Sequence, residues 1–166
     1  MTSVALLGAG LLGSAIARRF LDQGLSVRVW NRNPDRIAPL LKQGAAPITE
    51  LEGSARGCDA VVTVLRDGPV TSQVVSSLGE LNNTTVIPMG TMGVSESREL
   101  ATQVLQQNGR YLEAPVLGSR PQALNGTLLV MAGGDVTEFE QQRGNLRHLC
   151  ENPILVGPVG SGAATK

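Results

Sequence analysis

Three glycines, Gly8, Gly10 and Gly13, stand within "VALLGAGLLGSAIARRFLDQGLSVRVWNRN", Val4 to Asn33. An apolar run precedes them and an alanine-rich segment follows, which is the setting in which this spacing binds a dinucleotide. Gly8 permits a tight turn, Gly10 lets the backbone approach a pyrophosphate, and Gly13 lets the following helix pack closely on the strand. The helix N-terminus then offers N–H donors and a positive dipole to the phosphates. A glycine-rich turn could serve packing alone, but the strand–loop–helix context favours binding. Gly8, Ala9, Gly10, Leu11, Leu12 and Gly13 are therefore the first candidate cofactor contacts.

The next candidates lie about twenty residues on, where NAD-binding folds place an Asp or Glu on the ribose 2′-hydroxyl. Here the chain reads Trp30-Asn31-Arg32-Asn33. A carboxylate would repel a 2′-phosphate, whereas a guanidinium pairs with it bidentately. Arg32, with Asn31 and Asn33 as hydrogen-bond donors, thus points to NADP, with NAD the lesser expectation. The plainer alternative is a solvated Arg32 beside an Asn33 that only caps a helix. Trp30 ends its strand where it could flank an adenine, though packing alone would explain it.

These residues need elements to position them, and periodicity supplies a strand–helix alternation. Strands are predicted at Val4–Leu7, Leu25–Trp30, Asp59–Leu65, Thr84–Pro88, Arg110–Glu113, Gly126–Ala132 and Ile154–Val156. Leu65, at the end of the third of these, joins the candidate cofactor contacts. Helices are predicted at Leu11–Gln23, from the Asn33 cap and Pro34 to about Gln43, near Glu50–Ser54, near Pro69–Ser77, at Ser95–Asn108 and near Val136–Leu149. Parallel neighbours need crossover helices, so the alternation predicts an α/β chain with a doubly wound, mostly parallel sheet and helices on both faces. The strand Gly126–Ala132 is expected to run antiparallel at an edge. The segment between Glu113 and Gly126 reads as a loop.

Composition agrees. Of 166 residues, 42% are apolar but only 2% aromatic, so the core must be built from Val, Leu, Ile and Ala, which suits buried parallel strands. Fourteen basic and fourteen acidic residues balance, leaving no electrostatic footprint for nucleic acid or an anionic membrane. No apolar run approaches the roughly 20 residues that span a bilayer. Cys58 and Cys150 lie far apart without metal-type spacing, so no metal is expected and a reduced, cytoplasmic setting is the plain reading.

Taken together, these segments resemble the β-hydroxyacid dehydrogenase family, relatives of 6-phosphogluconate dehydrogenase and the imine reductases. "GAGLLGSAIARRFLDQGLSVRVWNRNPDR" resembles the family's opening, and three further segments agree. "PMGTMGVSES" resembles the segment whose threonine, here Thr91, approaches the nicotinamide. "YLEAPVLGSRPQALNGTLLVMAGG" resembles the substrate-binding segment, so that Glu113 to Ser119 would form one side of the pocket, with Leu117, Gly118 and Ser119 as its contacts. "GSGAATK" resembles the catalytic segment GxGxxxK, filled by Gly160, Gly162 and Lys166. The resemblance implies a Rossmann-type fold with Lys166 as proton donor to the carbonyl oxygen on reduction and base on oxidation.

Two departures qualify that implication. The family carries a serine after "APV", whereas Leu117 cannot donate a hydrogen bond to a substrate carboxylate; Ser119 or the N–H groups of Gly118 and Ser119 would have to substitute. The family also continues into a helical domain that closes the cleft and makes most dimer contacts. Residues 1–158 are thus expected to form the NADP-binding domain and 159–166 the start of the interdomain helix, with the helical domain absent. On that reading the chain alone would be a monomer and a full-length form a homo-oligomer. Lys166 would stand at a fraying end, so this chain would bind NADPH but turn over at background rate.

Other chemistry-bearing residues read more plainly. His148 has no nucleophile to serve and reads as a packing or surface residue. Cys58 reads as an inert buried thiol, and Ser95 with Glu96 and Glu99 as a capped helix start. The sequence therefore leads to an NADP-dependent oxidoreductase acting on a small aldehyde, keto acid or 3-hydroxy acid. The alternatives are a non-catalytic NADP-binding module and an imine reductase-like enzyme.

Overall fold

The computed structural model describes residues 1–166. Alternation along the first strand sets the layering. In β1 (Ser3–Leu7), Val4 and Leu6 enter one core while Ala5 and Leu7 enter another on the opposite face of the sheet. The larger core gathers Ile16 and Phe20 of α1 (Leu11–Asp22) and Val27 and Val29 of β2 (Ser26–Trp30). Burial of such side chains is worth about 1.5–3 kcal/mol each, so both faces of the sheet are strongly specified.

After β2, the predicted helix Asn33–Gln43 divides into a 3-10 turn at Pro34–Ile37 and α2 (Ala38–Lys42). Pro39 has no N–H to continue the hydrogen-bond ladder, and that breaks the element in two. The Asn33 cap is present, its side chain accepting from the Asp35 N–H. A two-residue strand, β3 (Ala46–Pro47), then pairs with β2 at the sheet edge. The helix expected near Glu50–Ser54 is instead a series of turns, because Gly53 and Gly57 take left-handed φ values of +73° and +75°.

The chain continues through β4 (Ala60–Thr63), α3 (Gly68–Ser76), β5 (Thr85–Pro88), α4 (Val94–Gln106) and β6 (Arg110–Glu113). The smaller core lies here, with Leu78, Leu81, Leu100 and Val104 fully buried or nearly so. Where a loop was expected, the structure has β7 (Val116–Leu117) and α5 (Arg120–Asn125). The signal for α5 was present: Gln122 Oε1 accepts from both the N–H and the hydroxyl of Ser119, and Gly126 closes the helix at φ +70°.

The last elements are β8 (Leu129–Gly134), α6 (Val136–Arg147), β9 (Ile154–Gly157) and α7 (Ser161–Thr165). The sheet order is β3-β2-β1-β4-β5-β6-β8-β7, with β9 on β8. The strands from β3 to β6 are mutually parallel, whereas β8 runs antiparallel to β6 and β7 and parallel to β9. The antiparallel strand is therefore as expected in direction but not in place, since β8 is flanked on both sides.

Register brings the carboxyl ends together. Leu7 lies opposite Trp30 of β2 and Thr63 of β4, and Thr63 lies opposite Pro88 of β5. Strand order reverses between β1 and β4, and ligands of open α/β sheets bind at such a switch point.

Candidate cofactor and substrate site

The loop after β1 is closed by contacts that admit no side chain. Gly8 has φ +107°, and a Cβ there would lie 2.2 Å from the Val64 carbonyl oxygen. A Cβ on Gly13 would lie 1.8 Å from the Gly8 carbonyl oxygen, so the first turn of α1 rests directly on the loop. At Gly10, by contrast, a Cβ would meet nothing within 4 Å. The N–H groups of Leu11, Leu12 and Gly13 have no acceptor within the protein. Leu11 itself is 79% exposed, as a residue on the rim of a binding crevice can be. Open space at Gly10 beside three free N–H donors fits a pyrophosphate.

Asn31 has a different task from the one expected. Its Oδ1 accepts from the Ala9 N–H at 2.9 Å, and its Nδ2 donates to the Asn33 carbonyl at 2.9 Å. The side chain thus ties the glycine-rich loop to the end of β2 and is committed there rather than turned toward a phosphate. Asn33 Oδ1 accepts in the helix cap, and its Nδ2 remains free to donate. Arg32 is exposed, with no hydrogen-bond or ion-pair partner. It borders a cavity of about 330 Å³ lined by Trp30, Leu51, Leu65, Val70 and Val74. That cavity suits a flat, largely apolar ring system, with the guanidinium at its rim.

Three guanidinium groups that the sequence reading did not single out flank the loop on its other side. Arg18, Arg36 and Arg120 border a cavity of about 350 Å³ together with Ala9, Gly10 and Leu11. No motif marks them, because they come from α1, the 3-10 turn and α5 and meet only in space.

A third cavity, of about 160 Å³, opens beyond β5 and is lined by Pro88, Gly90, Thr91, Met92, Glu113, Pro115, Ala163 and Lys166. Lys166 Nζ donates to Thr91 Oγ1 at 2.8 Å. Partial burial pushes the Lys166 pKa below the ordinary lysine range, since desolvation disfavours the charged form. Lys166, expected at a fraying end, makes this hydrogen bond from an exposed position. Leu117, 44% exposed in β7, does not line this cavity, and neither do Gly118 and Ser119. The hydroxyl and N–H of Ser119 are both spent on Gln122. His148, far from these cavities, packs edge-on against Phe20, with ring centroids 6.4 Å apart.

A glycine-rich loop at the switch point of a doubly wound parallel sheet, with free helix N–H groups at its mouth, defines a dinucleotide-binding domain of the Rossmann type. Comparison with known proteins narrows this class. The family described as the NAD binding domain of 6-phosphogluconate dehydrogenase matches residues 3–157, and the chain belongs to that family. An uncharacterized oxidoreductase of Synechocystis is 31% identical over 173 aligned positions, covering 100% of this chain and 60% of that protein. Among solved structures, 3-hydroxyisobutyrate dehydrogenase of Mycobacterium tuberculosis superposes with a TM-score of 0.92 at 26% identity, covering 99% of this chain and 57% of the other. An imine reductase from a Pseudomonas species gives 0.93 at 27% identity, covering 99% and 58%. The chain therefore spans about three fifths of the length of these relatives.

Proposed function

We propose that this chain binds NADP(H), and that the protein carrying it moves hydride between NADPH and a small aldehyde, keto acid or 3-hydroxy acid. The observation that carries the reading is the pairing of Lys166 Nζ with Thr91 Oγ1 in a cavity at the same end of the sheet as the glycine-rich loop. The cofactor would supply the hydride. The free N–H groups of Leu11, Leu12 and Gly13 would hold its pyrophosphate, and Leu65 and Trp30 its adenine. Arg32 would pair with a 2′-phosphate, which separates NADP from NAD.

Thr91 and Lys166 act at the substrate oxygen. The Lys166 ammonium gives a proton to the carbonyl oxygen on reduction and, as the neutral amine, takes it back on oxidation. Its lowered pKa brings the two forms closer in energy at working pH, which favours transfer in both directions. Pro88, Met92, Pro115 and Ala163 supply a largely apolar wall. The segment Leu117–Ser119 does not line this cavity, and the Ser119 hydroxyl is spent on Gln122, so the segment offers a substrate carboxylate no hydroxyl donor. Small aldehydes are therefore ranked ahead of hydroxy acids as substrates.

An imine reductase-like activity is the second reading, supported by the likeness to the Pseudomonas enzyme. Steady-state assays of the intact protein with NADPH separate the readings. Turnover of aldehydes lost in Lys166→Met supports the first, and turnover of cyclic imines alone supports the second. No turnover of either, with NADPH still bound, identifies a binding module. The remaining proposals are a cytoplasmic protein, a small-molecule partner without nucleic acid or membrane, and a homo-oligomeric full-length form. No helix in the structure is long and apolar enough to cross a membrane.

A further inference from the structure

The short helix α7 has no side-chain cap of its own. Its first N–H groups are met by a carboxylate from another element. Glu113, the last residue of β6, is 1% exposed. Its Oε1 accepts from the Gly160 N–H at 2.8 Å and the Gly162 N–H at 2.7 Å, with the Ala163 N–H 3.4 Å away. Its Oε2 accepts from the Ser97 hydroxyl of α4, and Tyr111 Oη lies 2.8 Å from Ser97 Oγ. The Tyr111 hydroxyl also has Met92 Sδ as an acceptor at 3.9 Å. The N–H groups of Gly160, Gly162 and Ala163 leave Oε1 facing donors only.

None of the ion pairs in the chain includes Glu113. A buried charge without a counterion is a poor choice where packing alone is needed, because an apolar side chain of similar volume would serve as well or better. The surroundings are nevertheless shaped to keep it. A Cβ on Gly133 of β8 would lie 2.1 Å from Glu113 Oε1 and 2.9 Å from the Gly162 nitrogen, and a Cβ on Gly162 would lie 3.1 Å from the same oxygen. Two glycines from separate elements thus clear the space for one carboxylate oxygen. The bonds then lead onward. Gly162 gives its N–H to Glu113 and receives the Lys166 N–H on its carbonyl at 3.1 Å, and Lys166 Nζ reaches Thr91.

We propose that Glu113 is a positioning residue for Lys166: its buried carboxylate, oriented by Tyr111 and Ser97, anchors the first turn of α7 and so sets the ammonium against Thr91. The inference rests on the proposed role of Lys166 for its functional meaning, but its physical content is independent of turnover. Glu113 and Lys166 line the same cavity without an ion pair between them, and Arg98 of α4 lies against Gly160 on the other side. Glu113 therefore has two separable ways to act on Lys166, by its charge across the cavity and by its bonds to α7.

The chain has only two lysines, Lys42 and Lys166, so ¹³C-labelled lysine gives one signal for the site and one exposed internal reference. In the full chain, Glu113→Ala is expected to free α7 and remove the partial desolvation of Lys166, so its titration midpoint rises toward the ordinary lysine range. A loss of charge alone would lower the midpoint, because a nearby anion favours the ammonium. Glu113→Gln keeps the shape and the acceptor for α7 but removes the charge, so its midpoint should not rise and should fall only by what the lost anion contributed. Gly133→Ala pushes on Oε1 and should mimic Glu113→Ala, which covers the case in which the latter does not fold. In the active protein, kcat should fall by roughly tens- to a hundredfold in Glu113→Ala, the scale of an ångström-size misplacement, with substantial rescue in Glu113→Gln. The affinity for NADPH should stay within about twofold. An unchanged midpoint in folded Glu113→Ala and Gly133→Ala, or a fall in both Glu113 variants, overturns the proposal. A raised midpoint in these variants, with Lys166→Met keeping full turnover, upholds the positioning and removes the proton-transfer role from Lys166.

Discussion

At the scale of single residues, cofactor choice turns on Arg32. It is exposed, carries no partner and borders the cavity proposed for adenosine. A hydrogen bond to a charged group is worth about 1.5–3 kcal/mol. Arg32→Ala should therefore weaken NADPH by roughly ten- to a hundredfold and leave NADH nearly unchanged, as calorimetry on both cofactors would report. Equal losses for the two would remove Arg32 from the 2′-phosphate. Lys166 makes a second residue-scale prediction, through pH. Reduction needs the ammonium, so activity is present below the Lys166 pKa and falls as pH rises through it. Burial lowers that pKa, so the alkaline limb of kcat for reduction should lie below the ordinary lysine value. The oxidation limb should rise over the same interval, and limbs at the ordinary lysine value would contradict it.

At the scale of elements, the strand–loop–helix unit behaves as one piece. Asn31 joins the Ala9 N–H to the Asn33 carbonyl and so holds the loop against the end of β2. Leaving the Ala9 N–H unsatisfied costs about 1–3 kcal/mol. Asn31→Ala should then weaken NADH and NADPH alike, in contrast to Arg32→Ala, and a loss confined to NADPH would return Asn31 to the phosphate. Gly13 is stricter still, since a methyl group there would overlap the Gly8 carbonyl. Gly13→Ala should lower thermal stability and the affinity for both cofactors together. Comparing the melting midpoints of apo and NADPH-loaded variant with those of the parent would measure both effects.

At the scale of the whole molecule, the cofactor should be part of what holds the fold. The crevice draws on β1, β2, β4 and the helices that follow them, so a ligand seated there binds only the folded state. At a hundredfold excess over Kd such a ligand adds about 2.7 kcal/mol. For a chain of this size that is a rise of roughly 5–10 °C in Tm. NADPH should produce this rise at a lower concentration than NADH in differential scanning calorimetry, and identical dose curves would remove the NADP preference.

The sequence by itself determined the elements with strong local signals. The alternating apolar runs, the glycine spacing and the Asn33-Pro34 helix start led to the parallel strands, the loop and the layering, because each depends on backbone conformation and periodicity over a few residues. Gly8 and Gly13 could be assigned their tasks for the same reason. What depended on distant partners could not be read. Gly53 and Gly57 ended a helix that composition allowed, and β7 found its place only by pairing with β8. Asn31, expected to face a phosphate, is bound to Ala9, 22 residues away in the chain. Arg18, Arg36 and Arg120 share no spacing, and Lys166 meets Thr91 across 75 residues. The carboxylate of Glu113 carries no motif of its own, and its bonds to α7 exist only once β6, β8 and α4 have packed around it. Hydrogen bonds of such long range form after the sheet has chosen its neighbours, so only the tertiary structure decides them.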